Sequence, residues 1–236
     1  STQGYSSAAS DVYKRQPNVV PIWSGDGGVT QAINETLYMT ALTAIVAGIL
    51  GIIIGILLVL TDEGGLLANH PFYFILDKLV NIFRAVPFII LLAIMTPVTR
   101  AIVGTGIGPT AALVPLIAGT TPFYARQVQN ALLTVDPGVI EAAEAMGVSP
   151  LGIVWRVYLR EGLSELIRVS VLTIISVIGL TAMAGAVGGG GLGNLAIAVG
   201  YQRYQYDVII VSLIFILALV FLVQFIGDFF ARKSHH

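Results

Sequence analysis

Long apolar runs separated by short polar stretches dominate the hydropathy pattern of this chain. A helix needs about 20 consecutive apolar residues to cross the hydrocarbon core of a bilayer. Four uncharged runs reach that length: 36–61, 101–125, 169–202 and 208–227. A shorter fifth run, 85–99, lies between Arg84 and Arg100, whose long side chains can extend to the lipid headgroups. The pattern predicts an all-α membrane protein with five transmembrane helices.

Residues 72–84, between the first two predicted spans, follow an amphipathic pattern. Apolar residues recur at helical spacing on one broad side, and Asp77, Lys78 and Asn81 lie on the other. This predicts a helix that lies along the membrane interface before the second span enters the bilayer.

The first predicted span carries Gly48, Gly51 and Gly55 on or near one face. Gly51 and Gly55 have the G-x-x-x-G spacing, which lets two helix backbones approach closely in a membrane. Glycine is also frequent in membrane helices generally. The spacing alone therefore leaves close packing and chance occurrence equally open.

A short polar segment, which contains the stretch EAAEAMG, separates the third span from the fourth. Asp136 can cap a helix that begins at Pro137, and Gly147 can end it in a left-handed conformation. Ser149 and Pro150 repeat the same start signal. The sequence predicts two short helices that meet at a sharp corner. Because a helix of about ten residues is marginal alone in water, we expect the first one to pack against something.

Composition and motifs exclude several classes of function. Charged residues are 11% of the 236, against about 25% in soluble domains, so a soluble protein is excluded. The chain has no cysteine and no P-loop pattern, so thiolate chemistry and that mode of ATP binding are absent. Gly188, Gly190 and Gly193 match G-x-G-x-x-G but follow a predicted membrane helix instead of a strand. His70 is the one internal histidine, which leaves no catalytic triad and no metal cluster. We therefore expect neither an enzyme nor a resident cofactor, and with no basic stripe we expect no nucleic-acid partner.

The two ends of the chain are expected to lie outside the membrane domain. Residues 1–29 are polar at the start and lack the apolar region of a signal peptide, so they are interpreted as a disordered or non-native tail. Residues 30–233 form the membrane domain, and residues 234–236 read as the remnant of an affinity tag.

The distribution of Lys and Arg predicts the orientation, because these residues accumulate on the cytoplasmic side. With the C-terminus in the cytoplasm, eight of them lie inside: Lys78, Arg84, Arg126, Arg156, Arg160, Arg168, Arg232 and Lys233. The outside then holds Arg100 and Arg203, plus two in the N-terminal tail. This predicts an external N-terminus, a cytoplasmic C-terminus and a cytoplasmic location for the segment between spans three and four.

The stretch EAAEAMG, followed by VSPLGIVWRVYL, resembles the EAA loop of ABC-importer permeases. Glu141, Ala142, Ala143 and Gly147 match the family pattern, whereas Arg160 stands where that pattern has proline. Two flanking stretches, NIFRAVPFIILLAIMTPVTRAIVGTGIG and TAMAGAVGGGGLGNLAIAVGYQRY, resemble the methionine-type permeases. The resemblance covers residues 35–228, nearly the whole chain.

The resemblance implies a membrane-spanning permease subunit of an ATP-driven importer in the bacterial cytoplasmic (inner) membrane. Such a subunit has five spans, pairs with a second copy of itself, and forms the translocation path for methionine or a close analogue. Two separate ATP-binding cassette subunits hold ATP and Mg, and an extracytoplasmic protein delivers the substrate. Residues 138–147 would be the coupling helix, with Glu141, Ala142, Ala143, Glu144 and Gly147 meeting the ATPase.

The translocation path is expected in the fourth span, where Met183 lies between Ala182 and Ala184. The flexible thioether of Met183 suits a constriction, but small residues also serve ordinary helix packing. Two other functions stay open: an ABC permease for another small solute, and a channel or secondary carrier that needs no ATP. The absence of Asp, Glu and Lys inside the predicted spans counts against a proton-driven carrier.

Overall fold

The computed structural model describes residues 27–233, and within that part of the chain every regular element is helical. The helices, in chain order, are α1 Val29–Thr61, α2 His70–Ala85, α3 Phe88–Ile94, α4 Thr96–Val103, α5 Pro109–Leu132, α6 Pro137–Ala145, α7 Pro150–Ile153, α8 Leu159–Glu161, α9 Leu163–Ala186, α10 Gly191–Asn194 and α11 Tyr206–Lys233. Two π-helical segments, Val154–Tyr158 and Leu195–Tyr201, follow α7 and α10. The all-α prediction is confirmed for these residues; most of the predicted tail and the predicted tag remnant lie outside them.

Three helices in the described part of the chain are long and apolar enough to cross a membrane: α1, α9 and α11. They correspond to the first, fourth and fifth predicted spans. The second and third predicted spans do not form such helices. α5 has sufficient length, with 24 residues, but it carries polar side chains at positions 126, 127, 129 and 130 in its last two turns. Helix length and composition thus support three of the five predicted spans.

The second predicted span is divided into α3 and α4 instead of forming one helix. Val86 is extended because the ring of Pro87 disfavours a helical conformation in the residue before it. Pro97 lies in the first turn of α4, where its missing N–H costs no intrahelical hydrogen bond. The apolar run 85–99 therefore bends twice, which its hydropathy does not reveal.

α1 and α5 run parallel and pack closely through two glycines of α1. A Cβ added to Gly51 would lie 2.6 Å from the ring of Tyr124, and one added to Gly55 would lie 2.7 Å from the carbonyl oxygen of Ala125. A Cβ on Gly48 would meet nothing within 4 Å. The close-packing interpretation of the G-x-x-x-G spacing is therefore confirmed, and Gly48 does not belong to that contact.

α9 runs antiparallel to α5, and α11 runs antiparallel to α9. The hydroxyl groups of Tyr124 and Ser170 are 2.6 Å apart near one end of the α5–α9 pair, and Leu116 and Ala184 share an apolar cluster nearer the other end. Along α11, Gly227 lies directly against the side chain of Val171. The long helices thus form one packed layer in which α1, α5 and α11 run one way and α9 runs the other.

The amphipathic helix is confirmed as α2, but its polar side faces another helix. Asp77 accepts a hydrogen bond from the Arg126 guanidinium of α5 at 2.5 Å, and Asn81 accepts a second one at 3.1 Å. The side chains of Asp77 and Arg126 are only 16% and 15% exposed. The apolar residues Ile75 and Ile82 point outward instead. This inversion is expected in lipid, where the surrounding solvent is itself apolar.

The glycine-rich segment after α9 packs against the start of α1. The backbone N–H of Gly191 donates to the Glu35 carboxylate at 2.6 Å, and that of Leu192 donates to the Thr36 hydroxyl at 2.9 Å. Gly193 lies so close to Ala182 that any side chain there would collide with backbone. The G-x-G-x-x-G match therefore serves helix packing, and no strand precedes it between residues 27 and 187.

Candidate functional site

The loop between α5 and α9 contains the helix that the sequence predicts. The Asp136 carboxylate accepts a hydrogen bond from the Gly138 N–H at 2.8 Å and caps α6, which begins at Pro137 as predicted. Gly147 ends the helix with a φ of +76°, in the left-handed region that favours glycine. Its N–H donates to the Glu144 carbonyl at 2.8 Å. The predicted caps at both ends of α6 are confirmed.

One side of α6 is fixed to the ends of the long helices. Ala143 is buried in an apolar cluster to which α1, α5 and α9 all contribute. The cluster members from those helices are Val59, Leu60, Tyr124, Val128, Ala131, Leu132, Leu166 and Val169. Because protein interiors are densely packed and transmit strain, displacement of α6 will displace the ends of these three helices.

The other side of α6 is open to its surroundings. Glu141, Ala142, Glu144 and Ala145 are exposed, and Met146 is 76% exposed. The structure therefore places the predicted residues on two different faces. Ala143 packs inward, so of the three alanines in EAAEAMG only Ala142 and Ala145 point outward.

The exposed surface continues beyond Gly147 with residues that the sequence analysis missed. Leu151 and Trp155 are 68% and 71% exposed, and they lie four positions apart in one helical stretch. Trp155 also lines an apolar groove shared with the long helices, where it lies with Val171 and Phe230. Large exposed apolar side chains of this kind are typical of a surface that meets lipid or another protein. The four-residue spacing in the sequence put Leu151 and Trp155 on one face but gave no sign that this face points outward.

The segment after the corner is irregular. The Ser149 hydroxyl accepts a hydrogen bond from the Gly152 N–H at 3.2 Å and starts α7 as predicted. The helix then widens into the π-helical segment Val154–Tyr158, and Arg160 follows as an exposed residue of α8. Burial, and to a smaller extent the negative charge of Glu144, raises the pKa of the Tyr158 phenol. Tyr158 therefore stays protonated at physiological pH.

The three residues predicted for the path do not share one surface. Met183 is 43% exposed on α9. Ala184 is fully buried in a cluster with Met39 and Leu116, and Ala182 approaches the backbone of Gly193. Of these three residues, only Met183 has an exposed side chain that could face a translocation path.

Three helices of membrane-spanning length and a capped loop helix with one buried and one exposed face are the features of an integral membrane protein. Residues 51–236 match the family described as "Binding-protein-dependent transport system inner membrane component". The chain belongs to this family. It is a transport component of the inner membrane, and it is not an enzyme.

Curated relatives agree with this assignment over most of the chain. A probable D-methionine transport system permease protein from Vibrio cholerae is 44% identical over 86% of this chain and 90% of its own length. The methionine import system permease protein of Bacillus subtilis is 47% identical over 84% of this chain and 89% of its own length. The resemblance to methionine-type permeases is therefore confirmed.

Solved structures give the same result. The chain superposes on a chain of the MetNI methionine ABC transporter, solved in inward-facing conformations, with a TM-score of 0.86 at 44% identity. The match covers 88% of this chain and 96% of that one. An amino acid ABC transporter superposes with a TM-score of 0.71 at 17% identity and shares the fold.

Proposed function

We propose that this chain is the membrane-spanning permease subunit of an ATP-driven importer whose cargo is methionine or a close analogue. The observation that carries the proposal is the match to a methionine ABC transporter chain over 96% of that chain at 44% identity. An importer for another small solute is the alternative within the class. A channel or carrier independent of ATP is the alternative outside it.

The directions of the helices support a five-pass topology. α1, α5 and α11 run one way and α9 runs the other. Together, α2, α3 and α4 cross the layer in the direction opposite to α5. α2 contacts α5 at Arg126, α3 lies against Gly119, and α4 lies near Ala112. We infer that α2–α4 act as one interrupted span and that α5 is tolerated as a span because its polar residues pair with α2.

The helix ends that lie together support one orientation. α6 lies against the C-terminal ends of α1 and α5, and α11 ends at the same side as α1 because it runs parallel to it. The excess of Lys and Arg on this side supports its assignment to the cytoplasm. The loop that carries α6 and the C-terminus are then cytoplasmic, and the N-terminus is external.

The partners proposed for the chain are a second copy of itself, two ATP-binding cassette subunits that hold ATP and Mg, and an extracytoplasmic binding protein. No cofactor is proposed for this chain. α6 is the coupling helix: Glu141, Ala142 and Glu144 face the ATPase while Ala143 anchors the helix to α1, α5 and α9. ATP-driven closure of the ATPase pair would move α6, and the packed cluster would carry the movement into the membrane helices.

Uptake of labelled methionine tests this proposal. The chain, its ATPase and the binding protein are reconstituted in vesicles, and uptake is measured with and without ATP. The proposal predicts uptake that needs ATP, the ATPase and the binding protein together. Uptake by this chain alone would establish a channel or carrier, and competition by a different solute but not by methionine would identify another cargo.

Reversal of one exposed charge on α6 tests the coupling helix. The Glu141 side chain is exposed and makes no hydrogen bond or ion pair within residues 27–233. Glu141→Arg is therefore expected to leave the fold intact. We propose that Glu141 pairs with basic groups of the ATPase, so the reversal places like charges across the interface. It should weaken ATPase association by about tenfold or more, since such charge pairs cost several kcal/mol. The matched control is Glu161→Arg, an equally exposed reversal in α8. Co-purification of the ATPase in unchanged amounts with both variants would argue against docking through α6.

Met183 is proposed as a constriction of the translocation path, in agreement with its exposure on α9. Met183→Ala should increase passive leak or change the import rate while the complex still assembles, because the shorter side chain widens the path. Val187→Ala, at an exposed position one turn further along, is the control. Unchanged leak, uptake and ATPase coupling in vesicles would remove Met183 from the path.

A further inference from the structure

A cavity of about 390 Å³ lies between α2, α3, α5 and α9. Its walls are mostly apolar, with contributions from Phe83, Phe88, Leu91, Phe123, Val177 and Leu180. Three polar residues, Arg84, Thr120 and Ser176, also line it. An apolar pocket of roughly 300–1,000 Å³ with a few convergent polar groups is the usual form of a small-molecule site.

The cavity lies at mid-depth in the helical layer. Thr120 is near the middle of α5, about 17 Å along the helix from either end at 1.5 Å per residue. Ser176 is similarly near the middle of α9. Arg84, in the last turn of α2, lines the same cavity with an exposed side chain. Since ionisable side chains at such depth are costly, they mark substrate or ion pathways.

Within the described part of the chain, Arg84 has no acidic partner to offset its charge. Among residues 27–233, no Asp or Glu oxygen lies within ion-pair distance of its guanidinium. The neighbouring hydroxyl of Thr120 is also unsatisfied: the residue is 2% exposed, and its oxygen has no hydrogen-bond partner in the described part of the chain. Buried polar groups are nearly always paired in folded proteins. Thr120 is an exception to this rule, and it shares the cavity with the exposed cation of Arg84. The two groups together indicate a ligand with an anionic, hydrogen-bonding end.

The backbone at the cavity is also irregular. Val86, which lines the cavity, has an extended conformation between α2 and α3. Non-helical backbone at membrane depth is tolerated where it is buried in protein or lines a cavity. The interruption of the predicted second span therefore coincides with the cavity wall.

We propose that this cavity is a transport subsite for an amino acid with an apolar side chain, in which Arg84 binds the α-carboxylate. The planar guanidinium can take a carboxylate through two parallel hydrogen bonds. The Thr120 hydroxyl supplies a further hydrogen bond, and the aromatic and aliphatic wall accommodates the side chain. The inference rests on the proposed function, since it assigns a binding place to the proposed cargo.

A single cysteine reports occupancy of the cavity. The chain has no native cysteine, so Ser176→Cys introduces one thiol on the cavity wall. Maleimide labelling of that thiol is measured on this chain in the complex with its ATPase, across a range of methionine concentrations. Methionine should slow the labelling of Ser176→Cys and leave Ala186→Cys, at an exposed position outside the cavity, unaffected.

Arginine variants in the Ser176→Cys background identify the carboxylate partner. Arg84→Gln should raise the methionine concentration for half-protection about tenfold or more, the usual loss when a charge-assisted hydrogen bond is removed. Arg84→Lys should retain part of the protection. Arg100→Gln, which removes an exposed arginine from α4 outside the cavity, is the matched control. Methionine methyl ester, which has no carboxylate, should protect poorly.

Three outcomes overturn the subsite: equal protection by the methyl ester, protection that survives Arg84→Gln, or no protection by methionine in a complex that imports it. Protection of the Ser176→Cys thiol by added phospholipid in the absence of methionine would show that a lipid acyl chain occupies the cavity. That result also overturns the subsite. Failure of the unmodified complex to import methionine refutes the proposed function itself, so the two failures are distinguishable.

Discussion

Asp77→Ala is expected to destabilise the protein by about 3 kcal/mol, the largest effect of a single side chain that we predict. The change leaves the Arg126 charge in a site where its side chain is 15% exposed. Asn81 and Gln129 still accept hydrogen bonds from Arg126, at 3.1 and 2.6 Å, but neither carries a compensating charge. Unfolding of the purified protein in detergent, followed by heat or denaturant, measures the loss.

The exposed pair of Glu165 and Arg168 provides the matched control. Its atoms are 3.4 Å apart, and its side chains are far more exposed than those of Asp77 and Arg126. Glu165→Ala should therefore cost less than about 1 kcal/mol. The double variant Asp77→Leu with Arg126→Met should recover most of the stability, because removal of both charges leaves none buried. A double variant as unstable as Asp77→Ala would show that the pair is not the cause.

Gly55→Ala is expected to lower stability by roughly 1–3 kcal/mol through overpacking between α1 and α5. The added methyl group would lie 2.7 Å from the Ala125 carbonyl oxygen, and backbone cannot move aside as a flexible side chain can. Gly48→Ala, seven residues earlier in the same helix, meets nothing within 4 Å. It should be neutral or stabilising, since Ala is the better helix former by about 1 kcal/mol. Equal melting temperatures for the two variants would contradict the close contact.

Both predictions concern α5, which connects the loop that carries α6 to the middle of the helical layer. Gly55 and Asp77 hold α1 and α2 against it, and its end enters the apolar cluster that fixes Ala143 of α6. Thr120, halfway along, lines the central cavity. α5 is thus placed to pass movement of α6, the proposed coupling helix, to the proposed cargo subsite, about 17 Å further along the helix.

Several features could be predicted from the sequence because they depend on neighbouring residues. The caps of α6 require only Asp136, Pro137 and Gly147 at the right spacing, and the structure forms them as predicted. The length and hydropathy of the runs within α1, α9 and α11 likewise define helices suited to a bilayer. The motif EAAEAMG and its flanking stretches were enough to indicate the family.

The sequence by itself thus determined the all-helical membrane class, the ends of α6 and the family. Only the tertiary structure decided that Ala143 faces inward, that Gly51 and Gly55 but not Gly48 meet α5, and that Arg84 lines a central cavity. The physical reason is that lipid and protein interior are both apolar. Hydrophobic periodicity, which separates buried from exposed faces in water, does not say which side of a membrane helix meets another helix; the packing of distant segments does.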